Sequence, residues 1–244
     1  MKEIPILFST AMVQAILQGR KTQTRRIVKT KFFPASEIAS IHKDGSGKGW
    51  IAWSPLPVSS EKTKELYPGE DGFKCPYGIE GDILWVRECW RPDIAGAECD
   101  SYCEYIKYGA DGGRLAIKWV KDYDDFRYRP GIHMNKEYAR IWLQVTDVRV
   151  ERLQDITEED TIAEGVEPRS HRCGGFGSYE AGGYIHDCIC QKWDRTPAGM
   201  GFMDLWKDIN GPESWEANPF CWVISFKVLS TTGKPDLQTL KAIA

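Results

Sequence analysis

Apolar positions change period several times along the chain, and each change marks an element. Met12, Val13, Ile16 and Leu17 recur at helical spacing, with Thr10 as the expected N-cap and Gly19 as the residue just past the C-terminus. The chain then turns into Lys21–Val28, which reads as a strand. Ile83–Arg87 is a second strand, entered through Gly81-Asp82. The strongest strand signal runs from Tyr138 to Leu153. Ile141, Leu143, Val145, Val148 and Val150 nearly alternate there, with a break at Thr146-Asp147 where a bulge would fit. Thr157 and Asp160 form a capping-box pair at the head of a helix, Ile156 is its hydrophobic staple and Gly165 closes it. Phe202, Leu205 and Trp206 mark one more short helix, and Phe220–Leu229 is a final strand.

Between these elements, residues 29–80, 91–136 and 166–199 show no sustained period and are punctuated by glycine and proline. They read as loop insertions without a core of their own. The expected fold is therefore mainly β with short helices, an α+β chain built as a small β-barrel or half-barrel decorated by loops. A single domain spans 1–230, and 231–244 is a C-terminal tail.

Composition narrows the class. The 244 residues are 42% hydrophobic and 27% charged, as in an ordinary globular chain. No apolar run is long enough to span a membrane, and the first residues lack a secretory pattern, so a cytoplasmic protein without membrane partners is expected. Eight cysteines in such a setting fit free thiols or metal ligands better than a disulfide framework. The net charge of −3 hides an uneven distribution. Arg20, Lys21, Arg25, Arg26, Lys29 and Lys31 form a basic strip with no acid among them. Glu151, Asp155, Glu158, Glu159, Asp160, Glu164 and Glu167 form an acidic one that holds only Arg152. Two solvated faces would explain both strips. Ten tryptophans serve either packing or base stacking.

Two features could carry chemistry. In Gly19-Arg20-Lys21-Thr22-Gln23-Thr24-Arg25-Arg26, Lys21 and Thr24 would face opposite sides of an ideal strand, and they converge only if the residues after Gly19 are still turning. A solvated basic turn is the plain alternative. Glu164 stands in the last turn of its helix, where a carboxylate meets the negative end of the dipole. Simple exposure is the alternative there.

These residues carry a resemblance. Gly19-x-Lys21-x-x-Thr24-x-Arg26 resembles the G-x-K-x-x-T-x-R signature of ASCH domains, which are PUA-like β-barrels. The resemblance continues through Gly81-Asp82-x-Leu84-x-Val86, Leu153-x-x-Ile156-Thr157-Glu158-Glu159 to Glu164, and Trp222-Val223-Ile224-Ser225-Phe226, in family order. Cys75-Pro76-Tyr77-Gly78 and Trp85-Val86-Arg87-Glu88 are similar to segments of the larger ASCH proteins of phages and prophages. The resemblance implies either a nucleic-acid or modified-base binder, or an amidohydrolase that removes the acetyl group of N4-acetylcytidine.

In such hydrolases the catalytic lysine, threonine and glutamate fall on Lys21, Thr24 and Glu164 of this sequence. Arg20 and Arg26 fall within the motif and are candidates for substrate binding. A threonine hydroxyl needs a base, and a lysine serves as one only when neutral. Its ordinary pKa near 10.4 must fall, and the neighbouring arginines act in that direction. Glu164 opposes that effect, so its better role is to hold the base through its exocyclic nitrogen or to pass a proton to the leaving amine. No oxyanion partner is identified in the sequence. This chemistry requires no cofactor. The alternative is a non-catalytic RNA- or DNA-binding module that uses the same cleft, and a ribonuclease is a third reading.

A second constellation is His171-x-Cys173 with His186-x-Cys188-x-Cys190. It supplies enough soft ligands for a structural zinc, with Cys173, Cys188, Cys190 and His186 as the preferred set and free thiols in a loop as the alternative. Cys99 and Cys103 lack a second ligand pair. Cys75, Cys89 and Cys221 read as small packing residues.

Overall fold

Ser9, one residue before the expected cap, opens the first helix, its Oγ accepting from the Met12 amide at 3.4 Å. The computed structural model describes residues 1–29, 40–43, 50–53, 74–93, 105–117, 126–166, 197–236. Over these residues the elements are β1 (Glu3–Leu7), α1 (Thr10–Leu17), β2 (Gln23–Ile27), β3 (Ser40–Lys43), β4 (Trp50–Trp53), β5 (Ile83–Arg87), β6 (Trp90–Asp93), β7 (Tyr105–Tyr108), β8 (Arg114–Ala116), β9 (Trp142–Arg152), α2 (Glu158–Ala163), α3 (Pro197–Asn210) and β10 (Phe220–Ser230). The fold is mixed α and β with strands predominating. Five strands pair in the order β1-β5-β9-β10-β2, with β1 parallel to β5 and β5 antiparallel to β9. The β3–β4 hairpin and a β6-β7-β8 sheet stand apart from it. No pairing among the described strands closes the five-stranded sheet into a barrel.

The chain divides into two compact units. The first comprises Met1–Thr22, Pro76–Val148 and Ile224–Ala244, and the second Gln23–Cys75 and Arg149–Val223. In the first unit α1 ends at Gly19, whose φ of 74° suits glycine. The Arg20 and Lys21 amides both donate to the Ala15 carbonyl, at 2.9 and 3.1 Å. The chain is therefore still turning at Lys21, and β2 begins at Gln23, two residues later than the hydrophobic pattern indicates. Ile83, Trp85, Ala139 and Trp142 form one core cluster, and Phe8 packs on Phe226 with ring centroids 6.2 Å apart.

The segment 91–136, which reads as an insertion, supplies β6, β7 and β8. One side of that sheet covers a cluster of Trp90, Ile106, Tyr108, Met134 and Tyr138, three of which belong to the segment. Arg140 anchors this cluster. Its guanidinium donates Nε and Nη2 to the two Glu88 oxygens at 3.0 and 2.9 Å and Nη1 to Asp111 at 2.9 Å, and it lies 4.1 Å from the Tyr108 ring centroid. Desolvation pushes the Glu88 carboxyl above its ordinary range, with Arg140 acting against the rise. The hydrogen bond from Arg140 leads the causes holding the more exposed Asp111 below its own.

In the second unit Leu153, Ile156, Phe202, Trp206, Trp215 and Cys221 form the core. The short helix expected near Phe202 is the 14-residue α3. Ala198, Phe202 and Trp206 repeat every fourth residue on its buried side, but Gly199 and Gly201 mask that period. Within the expected insertion 29–80, β3 and β4 pair antiparallel, and Trp50 meets the Trp222 ring edge-on at 5.5 Å. The capping box of α2 forms as read: Thr157 Oγ1 accepts from the Asp160 amide at 3.1 Å and Asp160 Oδ2 from the Thr157 amide at 3.3 Å.

The Gly81-Asp82 pair has a local structural explanation. Gly81 takes a φ of 87°, and buried Asp82 accepts from the Lys2 amide at 2.7 Å and the Ile79 amide at 3.2 Å, fastening β1 to the turn before β5. Asp82→Ala leaves both amides without this acceptor and is expected to cost about 2 kcal/mol or more in urea unfolding, whereas an exposed control such as Glu80→Ala stays within about 0.5 kcal/mol.

Candidate functional site

The second unit concentrates buried charge around β2. Gln23, Thr24 and Arg25 are all buried, so this strand is covered on both faces and does not alternate. Arg25 is the hub. Its Nη2 reaches Glu151 Oε2 at 3.0 Å and Asp160 Oδ2 at 2.9 Å, and its Nη1 lies 3.5 Å from Glu164 Oε1. The three carboxylates come from the end of β9, the first turn of α2 and the residue that caps α2. Arg149 is a second cation here, bonding Glu151 Oε1 at 2.5 Å and Asp160 Oδ1 at 3.0 Å. Gln23 Nε2 adds a bond to Asp160 Oδ1 at 3.2 Å.

Asp160 therefore works twice, as the capping-box acid and as the bridge between two arginines. Burial alone would raise its pKa. The charge and hydrogen bond of Arg25, with those from the Thr157 amide and Gln23, outweigh burial and hold the carboxyl below its ordinary value.

Glu164 is 4% exposed, so the simple-exposure reading fails. It is the C-cap of α2, its amide donating to the Asp160 carbonyl at 2.9 Å. The helix dipole disfavours a carboxylate there, and the buried Arg25 cation offsets that penalty. Thr24 is 1% exposed on β2, the strand that α2 packs against. Lys21 belongs to the first unit. It is fully buried, with Nζ 5.5 Å from the Phe8 ring centroid. The motif is thus not a solvated basic turn.

Arg20 is half-exposed and donates Nε and Nη2 to Gln18 Oε1 at 2.9 and 2.6 Å, while Arg26 is half-buried on β2. Cys173, Cys188, Cys190, His171 and His186 lie outside the described residues, as do Cys99 and Cys103. Among the described residues no group of three His, Cys, Asp or Glu side chains is disposed to hold a metal. Cys75 and Cys221 are buried, and burial pushes the Cys221 thiol up to about 12, consistent with packing. Cys89 is half-buried. Among the described residues no helix is long and apolar enough to cross a membrane.

Sequence reasoning missed Arg25 as the hub and Arg149 altogether. The available signal was the opposition of a basic and an acidic strip: Glu151, Asp160 and Glu164 of the acidic one meet Arg25 of the basic one, while Asp155, Glu158 and Glu159 are exposed. No family model, curated protein or solved structure matches the chain.

A carboxyl whose folded pKa lies below its unfolded value contributes stability that is complete above the unfolded value and is lost as pH falls through the folded one. For Asp160 the unfolded value is near 3.8. The stability difference between wild type and Asp160→Asn is therefore expected to be constant above about pH 5 and to shrink steadily below about pH 4, as read by urea unfolding across pH. A difference that stays flat into that acid range would show that Asp160 is not held as the ion.

Proposed function

We propose that this protein hydrolyses the amide of an N4-acylated cytidine-like base, in the manner of the ASCH amidohydrolases that its motifs resemble. Thr24 is the nucleophile, Lys21 the base that takes its hydroxyl proton, and Glu164 the group that holds the substrate through its exocyclic nitrogen or shuttles the proton taken up by Lys21 to the leaving amine. The step as written forms a Thr24 ester with the acyl carbon and breaks the carbon–nitrogen bond. Water then hydrolyses the ester to release the acid. The proposed steps call on no cofactor.

One observation carries the reading: Lys21, Thr24 and Glu164 are 0, 1 and 4% exposed. Lysine and glutamate are rarely buried to this degree unless they are held by partners or tasks. A protein that only bound nucleic acid through a basic turn would gain by exposing Lys21 to phosphate.

The test is incubation of purified protein with N4-acetylcytidine and chromatography for cytidine. Turnover is expected in wild type, with losses of several orders of magnitude in both Lys21→Ala and Thr24→Ala, because nucleophile and base act as one unit. Thr24→Ser should keep a measurable fraction. Hydrolysis near the wild-type rate in Thr24→Ala would transfer the nucleophile's role to water and overturn the assignment.

A further inference from the structure

Six polar side chains from three elements of the second unit come together around Arg25. Arg149 and Glu151 stand two residues apart on β9, and Gln23 and Arg25 two residues apart on β2, so each pair shares a side of its strand. β10 runs between those two strands, and the pairs reach across it. Asp160 and Glu164 come from α2 and its C-cap, one turn apart.

The bonds among them are divided oxygen by oxygen. Glu151 Oε2 accepts from Arg25 Nη2 at 3.0 Å, and its Oε1 from Arg149 Nε at 2.5 Å. Asp160 Oδ2 accepts from Arg25 Nη2 at 2.9 Å, and its Oδ1 from Arg149 Nη2 at 3.0 Å. Two arginines and two carboxylates thus close a ring in which each carboxylate gives one oxygen to each cation. Gln23 braces the ring, its Oε1 accepting from Arg149 Nη2 at 3.3 Å and its Nε2 donating to Asp160 Oδ1 at 3.2 Å.

The ring occupies a single nitrogen of Arg25. Nη1 and Nε are buried and donate no hydrogen bond to the described residues, and Nη1 is the nitrogen that lies 3.5 Å from Glu164 Oε1. A guanidinium beside a carboxylate with both oxygens open takes it with two nitrogens. Arg149 forestalls that pairing, because it already holds the second oxygen of Glu151 and of Asp160. Without it, both carboxylates would draw Arg25 Nη1 away from Glu164.

We propose that Arg149 is a positioning residue for Glu164: by occupying one oxygen of Glu151 and one of Asp160, it keeps Arg25 shared and leaves Nη1 beside the Glu164 carboxylate. Arg149 does this with two different nitrogens, Nε and Nη2. A lysine would keep the charge but has only one nitrogen to offer, so it does not replace the fork. The effect on turnover rests on the amidohydrolase reading of Glu164, whereas the placement of Arg25 does not.

Crystal structures of the wild type, Arg149→Lys and Arg149→Met read the geometry, and hydrolysis of N4-acetylcytidine reads its consequence. In both variants Arg25 is expected to take Glu151 or Asp160 through both Nη atoms, and its Nη1 to lie beyond about 4 Å from Glu164. The kcat/KM should fall about tenfold or more in each. Neither change should cause a further loss when added to Glu164→Gln, because both act through the same carboxylate. General damage to the fold would lower both backgrounds alike. The Arg149 side chain is 33% exposed, circular dichroism checks that each variant is folded, and Arg149→Lys is the one to read if Arg149→Met is not. Arg25 Nη1 still beside Glu164 in Arg149→Lys, wild-type kcat/KM in that variant, or an equal fall in the Glu164→Gln background would overturn the proposal. Absence of turnover in the wild type would overturn the amidohydrolase reading, and the crystal structures would still decide the placement of Arg25.

Discussion

A guanidinium taken out of water must be neutralised where it sits, and in the second unit that requirement falls on Arg25. Its side chain is fully buried, and the carboxylates around it come from separate parts of the chain: Glu151 at the end of β9, Asp160 in the first turn of α2, and Glu164 at its C-cap. A buried ion pair adds little net stability over apolar packing of the same volume, but removing one partner is costly. The arrangement therefore fixes where α2 starts and ends against β2 more than it strengthens the unit. Asp160 makes that coupling concrete, since the carboxylate that closes the capping box is also the one that receives Arg25 and Arg149. Local helix initiation and long-range pairing depend on one side chain.

The first unit solves the same problem with Arg140, and the solution has a different consequence. Glu88 takes the guanidinium in a two-point grip, Asp111 takes the remaining nitrogen, and the Tyr108 ring lies against its face. Tyr108 in turn donates its hydroxyl to the Tyr138 carbonyl at 2.7 Å. Charge on the inner side of the β6-β7-β8 sheet is thus absorbed by an internal network. Arg91, Lys107 and Arg114 are on the opposite face, where Asp93 meets Arg91 and Arg114.

What was legible in the sequence was what is decided locally. The Gly19 turn, the Thr157–Asp160 capping box, β5 and β10 follow from caps, glycine and short-range period. The edge of β2 did not, because two amides beyond α1 still bond to Ala15 and postpone the strand. The strands β6 to β8 were hidden because each is only three or four residues long and one face is charged, so their alternation resembles a polar loop. Gly199 and Gly201 hid most of α3. Of the candidate site, the residue types Lys21, Thr24 and Glu164 were legible through the motif, but their burial was not. Arg25 had no local signal, since its partners are 126 and 135 residues away in the chain.

The turn after α1 explains why adjacent residues of like charge have unlike surroundings. Had the chain entered a strand directly at Gly19, Arg20 and Lys21 would have pointed to opposite sides by simple alternation, and either could have faced water. Instead, the positive φ of Gly19 lets both following amides close on the Ala15 carbonyl. Within that turn the Arg20 side chain folds back onto Gln18, and Lys21 is carried inward to the Phe8 ring. Arg20 stays partly in contact with solvent. Lys21 occupies an environment in which the cost of a charge depends on its surroundings. A lysine that acts as a base needs the buried environment, and a phosphate contact needs the solvent-facing one. The backbone of a single glycine thus separates the surroundings of two adjacent cations.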